Sequence, residues 1–65
     1  MYLNRMNQIR KEKGITLTEI SKKTGISIGY LSHLENGTRK NPSIEMMDKI
    51  SKVLGKSVSE VFFTE

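Results

Sequence analysis

The 65-residue chain has no cysteine, no tryptophan and no alanine, one proline and one histidine. Without cysteine there is no disulfide framework and no thiolate metal site, and a lone imidazole cannot assemble a histidine-rich zinc site. A domain this short buries only about 60% of the surface its unfolded chain exposes. Its stability must therefore come from helix or sheet packing, with oligomerisation as the remaining aid. No apolar run approaches the ~18 residues of a membrane span, and the opening MYLNRMNQIRK holds no apolar leader core. The expected location is the cytoplasm, so the Asn36-Gly37-Thr38 sequon is a coincidence. Catalytic groups are equally scarce. Asp48 is the only aspartate, and no serine–histidine–aspartate set is legible. Gly55-Lys56-Ser57 resembles the tail of a phosphate-binding loop, but Ile50 stands where that loop needs its first glycine. An enzyme is the least supported class.

What the chain does have is 35% hydrophobic residues, enough for a small core, and a formal charge of +4. That charge is unevenly placed. Residues 1–40 carry eight basic and three acidic side chains, a net +5, whereas residues 41–65 carry three and four, a net −1. A one-sided basic surface is the electrostatic footprint of a nucleic-acid binder, although a lysine-rich solvated surface has the same composition.

Punctuation divides the chain into five short helices, and the reading is all-α. Leu3, Met6 and Ile9 recur at helical spacing, and Gly14 suits a left-handed cap behind Lys13. Thr16-Leu17-Thr18-Glu19 is a capping box that opens a second helix, with Leu17 and Ile20 inward and a stop at Gly25. Ser27 caps a third helix marked by Ile28, Leu31 and Leu34, ending before Gly37. Residues 37–42 read as a loop, because Pro42 restricts Asn41. Ile44, Met47, Ile50, Val53 and Leu54 mark a fourth helix closed by Gly55. Ser57 to Glu60 is a second capping box, opening a last helix with Val58, Val61 and Phe62 inside. No internal repeat is visible, and residues 1–65 are expected to form a single domain.

Between Leu17 and Asn36 the pattern meets the demands of a helix-turn-helix unit. Apolar Ile20 fills the angle between the helices, small Ser21 permits close approach, and Gly25 supplies the positive φ of a sharp turn. Ile26, Leu31 and Leu34 then plug the third helix onto the others. The plain alternative is an αα-hairpin with no ligand.

On these residues the chain resembles the lambda-repressor-like (Xre/Cro-type) helix-turn-helix domains. The likeness runs from Ile9-Arg10-Lys11-Glu12-Lys13-Gly14 to Glu60-Val61-Phe62, and is most specific in GISIGYLSHLENG and NPSIEMMDKISKVLGKSVSEVF. The resemblance implies a compact five-helix domain that binds operator double-stranded DNA, commonly as a homodimer, with the third helix in the major groove. It implies no cofactor, no metal and no small-molecule ligand. The function so implied is transcriptional regulation, most simply repression by a dimer on a pseudo-palindromic operator. A protein-interaction module, such as an antitoxin or anti-repressor adaptor, is the alternative. The N-terminal DNA-binding domain of a longer regulator is another.

Carried over residue by residue, the family's phosphate contacts fall on Thr16, Thr18, Ser27, Tyr30, Asn36, Arg39 and Lys40. Its base-reading positions fall on Ile28, Gly29, Ser32 and His33, and its buried ion pair on Arg10 and Glu35. Each has a plainer reading: Ile28 as part of the helix cap, Gly29 as a weak spot, Tyr30 as core, His33 as a solvated imidazole, Arg39 and Lys40 as water-facing. Leu17 replaces the glutamine that often opens helix two, and Ser21 replaces an alanine, so its hydroxyl needs a partner such as a carbonyl one turn back. The recognition face has no arginine, asparagine or glutamine for bidentate base contacts. Met46, Met47, Phe62 and Phe63 read most simply as core, with Phe63 the best candidate for an exposed dimer contact or a residue packed back on Tyr2.

Overall fold

A computed structural model describes residues 4–38 and 42–63 of the chain. Within them lie five helices and no strand: α1 (Met6–Lys13), α2 (Leu17–Thr24), α3 (Ile28–Glu35), α4 (Ile44–Leu54) and α5 (Val58–Phe62). The starts of α2 to α5 are set by short polar side chains that satisfy the free N–H groups of a first turn. Thr16 Oγ1 accepts from the Glu19 N–H at 3.1 Å while the Glu19 carboxylate accepts from the Thr16 N–H, and Ser57 and Glu60 repeat the exchange. Ser27 and Ser43 cap α3 and α4 at 3.1 Å each. Between α2 and α3 the chain reverses through Gly25 at φ 78°, a conformation in which any side chain would be strained.

The core forms where α2 lies against α3 and α4, and α4 against α1 and α5. Ile20, Leu31, Leu34, Ile50, Leu54 and Val61 are fully buried in it, and Ile26 plugs the turn. Met6 and Ile9 bring α1 onto this core, and the Arg5 N–H donates to the Val61 carbonyl at 2.7 Å. The start of the described chain is thereby tied to its last helix.

Three side chains depart from the expected pattern. Ile28 is 46% exposed and Ile44 79%, although both fall in the apolar registers of their helices. Each occupies the first position of its helix, where the side chain leans back past the N-terminus and off the core. The Ser21 hydroxyl makes no hydrogen bond among the described residues; the bond one turn back is made by Thr24 Oγ1 to the Ile20 carbonyl at 2.7 Å. Leu3, Tyr2, Arg39 and Lys40 lie outside the described residues.

Ser51 is buried in α4 at 2% exposure, and its hydroxyl has no partner among the described residues. An unpaired buried hydroxyl costs free energy, and alanine is the better helix former. Ser51→Ala is expected to stabilise the domain by about 1 kcal/mol, raising Tm by ~4–8 °C in a thermal melt.

Candidate nucleic-acid interface

The outward side of α3 is the complement of its core side. With Leu31 and Leu34 buried, the residues left facing solvent include Ile28, Gly29, Ser32, His33 and, at the C-cap, Asn36. A Cβ built on Gly29 meets nothing within 4 Å, so this glycine leaves open space on the surface and fills no tight contact. Tyr30 is half-buried against the core and engaged with its surroundings, which makes it partly structural. Thr16, Thr18 and Ser27 are exposed around the starts of α2 and α3, and Phe63 is 65% exposed beyond α5.

The capping geometry decides what these polar groups have to offer. Thr16 Oγ1 and Ser27 Oγ use a lone pair to accept the capping N–H, which leaves each hydroxyl proton to donate outward. Asn36 Oδ1 accepts from both the N–H and the hydroxyl of Thr38, so its Nδ2 protons remain unspent. A phosphate oxygen is an acceptor, and donors are what it requires. Charge runs the same way: on α4, Lys49 and Lys52 lie beside Glu45 and Asp48, whereas Lys22 and Lys23 at the end of α2 pair with no carboxylate among the described residues.

Beneath this surface α3 is held from α1 by polar bonds. Arg10 grips Glu35 with two parallel bonds, Nε to Oε2 at 2.8 Å and Nη2 to Oε1 at 3.0 Å, and its Nη1 donates to the Ile15 carbonyl. Asn7 Nδ2 donates to the same carboxylate at 2.8 Å, and Asn4 Nδ2 to the Leu34 carbonyl at 3.0 Å. Burial pushes the Glu35 carboxyl up, but the bonds from Arg10 and Asn7 and the charges of Arg10 and Lys11 reverse this and hold it below the usual carboxylate range. The Glu35 bond in turn raises Arg10 further. Asn4 and Asn7 are absent from the sequence-derived set. Their only local signal is the three-residue spacing of Asn7 from Arg10 on one helix face.

No cluster of metal-ligating side chains occurs among the described residues, nor is any helix there long and apolar enough to cross a membrane. Five short helices with a glycine turn between α2 and α3, and a half-exposed third helix, define a helix-turn-helix domain. The chain belongs to the helix-turn-helix family, whose model matches residues 6–61. It is 46% identical over 54 residues to the HTH-type transcriptional regulator SinR of Bacillus subtilis, covering 83% of this chain and 49% of that one. It is 36% identical to the regulator SlrR of the same organism, covering 86% of this chain and 37% of SlrR. The crystal structure of SinR, a master regulator for biofilm formation, in complex with DNA matches at a TM-score of 0.77 and 46% identity, over 83% of this chain and 86% of that one. The chain thus spans half or less of the length of these two regulators. Its relatives form a DNA-binding class and not an enzymatic one.

Proposed function

We propose that this chain is a sequence-specific double-stranded-DNA-binding transcriptional regulator that represses by occupancy, working in the cytoplasm as one domain over residues 1–65. The observation that carries the reading is the free outer face of α3 within a helix-turn-helix that resembles a DNA-bound relative. In this reading α3 enters the major groove, presenting Ile28 to thymine methyls and Ser32 and His33 to base edges. The unspent donors of Thr16, Thr18, Ser27 and Asn36 fix register on the phosphates, joined by Tyr30, Arg39 and Lys40. Exposed Phe63 meets its counterpart in a second copy, so that a homodimer covers two half-sites about one helical turn apart.

Because this face holds no arginine, asparagine or glutamine, direct readout should fall at the low end of ~1–3 kcal/mol per base pair, with DNA shape supplying much of the rest. The test is selection of bound sequences from a random duplex pool, followed by titration of single-base variants of the selected site. His33→Ala is expected to relax preference at one position per half-site. Gly29→Gln, which enters open space, should shift one position toward adenine. Unaltered preferences in both variants would remove α3 as the reading helix.

A further inference from the structure

The turn after α3 contains the pair Asn36-Gly37, and its geometry favours a chemical change at Asn36 itself. Attack of a backbone nitrogen on the preceding asparagine side chain needs an unshielded nitrogen and a carbonyl whose oxygen can take up charge. Gly37 has no Cβ to shield its nitrogen and lies at φ 86°, half-buried between the exposed Asn36 and Thr38. Asn36 Oδ1 already accepts two hydrogen bonds, from the Thr38 N–H at 3.0 Å and the Thr38 hydroxyl at 2.7 Å. Two donors on one oxygen are the arrangement that stabilises the oxyanion of a tetrahedral intermediate. The Asn36-Gly37 peptide rests at ψ 4° and must rotate before attack, but its N–H is held only by a 3.4 Å bond to the Leu34 carbonyl. That bond sits at a helix end, where fraying is easiest.

We infer that Asn36 is a site of self-deamidation, in which the Gly37 nitrogen closes on Asn36 Cγ and the Thr38 donors hold the resulting oxyanion. The nitrogen gives its proton to hydroxide and forms the N–Cγ bond, and the carbonyl electron pair moves onto Oδ1. Collapse of the oxyanion breaks the Cγ–Nδ2 bond, and the nitrogen leaves as ammonia after taking a proton from water. Water then opens the five-membered imide at either carbonyl, leaving aspartate or isoaspartate at position 36. No oxidant or reductant is involved.

The other three asparagines are poorly placed for the same reaction. Asn4 precedes Arg5 and has both side-chain ends bonded, and Asn7 precedes Gln8 inside α1 with its amide on Glu35. Asn41 precedes Pro42, which has no N–H. The product carries a new negative charge at the C-terminal end of α3, beside Glu35, where the helix dipole already disfavours anions. It also loses the free Nδ2 donor. The chemical step stands on the turn alone, whereas the loss of DNA binding rests on the reading given above.

The test is to hold the full chain in mildly alkaline buffer at physiological temperature and map its peptides by mass spectrometry over time. A gain of about 1 Da is expected at Asn36 alone, with release of ammonia and formation of isoaspartate that an isoaspartyl methyltransferase labels. Asn36→Gln should abolish the gain, and Thr38→Val, which removes one of the two donors, should slow it about fivefold. No gain at Asn36, or an unchanged rate in Thr38→Val, overturns the inference. Freshly made Asn36→Asp is expected to bind duplex DNA about tenfold more weakly, through repulsion from phosphate. If Asn36 deamidates while Asn36→Asp binds like the parent, the modification stands and the placement of Asn36 against DNA falls.

Discussion

Replacing Glu35 with alanine is expected to remove about 3 kcal/mol of stability, a large part of what a chain of this length has. Among the described residues the carboxylate is the acceptor that Arg10 and Asn7 share, and the two side chains of the ion pair are 16% and 11% exposed. Its removal strands a guanidinium in a site largely closed to water, which costs more than the pair itself contributes. In a thermal melt the loss should appear as a fall of ~10–20 °C in Tm. Glu35→Gln keeps the shape and part of the hydrogen bonding, so it should fall less. The two variants also separate charge from packing through pH. Because the folded state holds the Glu35 carboxyl below its usual range, the unfolded chain binds its proton more readily. The stabilisation is then complete above the usual carboxylate range and fades as pH falls through and below it. Melts at descending pH should show this loss in the parent and a smaller one in Glu35→Gln. A shift of only a degree or two on Glu35→Ala would show that α3 does not depend on the polar bonds from α1.

Ser32→Glu is expected to leave the fold in place and to weaken duplex binding about a hundredfold or more. Ser32 is exposed in the middle of α3, its side chain makes no hydrogen bond among the described residues, and glutamate is a better helix former. Its effect on stability should lie within about 0.5 kcal/mol. Against DNA, the same carboxylate would be driven among base edges and phosphates, where like-charge contact costs several kcal/mol. Gln8→Glu on α1 is the matched control: it is exposed, changes the net charge by the same amount, and lies outside the proposed DNA and dimer contacts. Screening at physiological salt should leave its effect small. Equal losses in the two variants would mean that net charge, and not the face of α3, governs binding.

The parts of this fold legible in the sequence are those settled within four residues. Thr16, Ser27 and Ser57 announce helix starts because a capping oxygen and the N–H that donates to it are three residues apart, and Gly14, Gly25 and Gly55 announce ends. The Ser43 cap is masked by Pro42, whose loop signal precedes it, although its chemistry is the same. Periodicity over-reads first turns: Ile28 and Ile44 keep the apolar register, but register does not say whether a partner lies opposite. Asn4 and Asn7 were illegible for another reason. Their partners lie 30 and 28 residues further on, and no local pattern marks such a meeting. The candidate face on α3 is what the family resemblance implies, and the inward turn of Leu31 and Leu34 is consistent with it. Which of its side chains touch DNA is a matter of a second molecule, and the chain's own packing does not decide it.

The bond from the Arg5 N–H to the Val61 carbonyl makes the domain a closed ring of helices. During synthesis α1 emerges before α5, so its seat beside α5 does not exist until that helix too has left the ribosome. The polar bonds to Leu34 and Glu35 are available earlier, when α3 appears. A nascent chain can therefore assemble its helix-turn-helix around α1 before the core is sealed. Closing the ring is the step with the longest chain separation, and so the largest loop entropy to overcome.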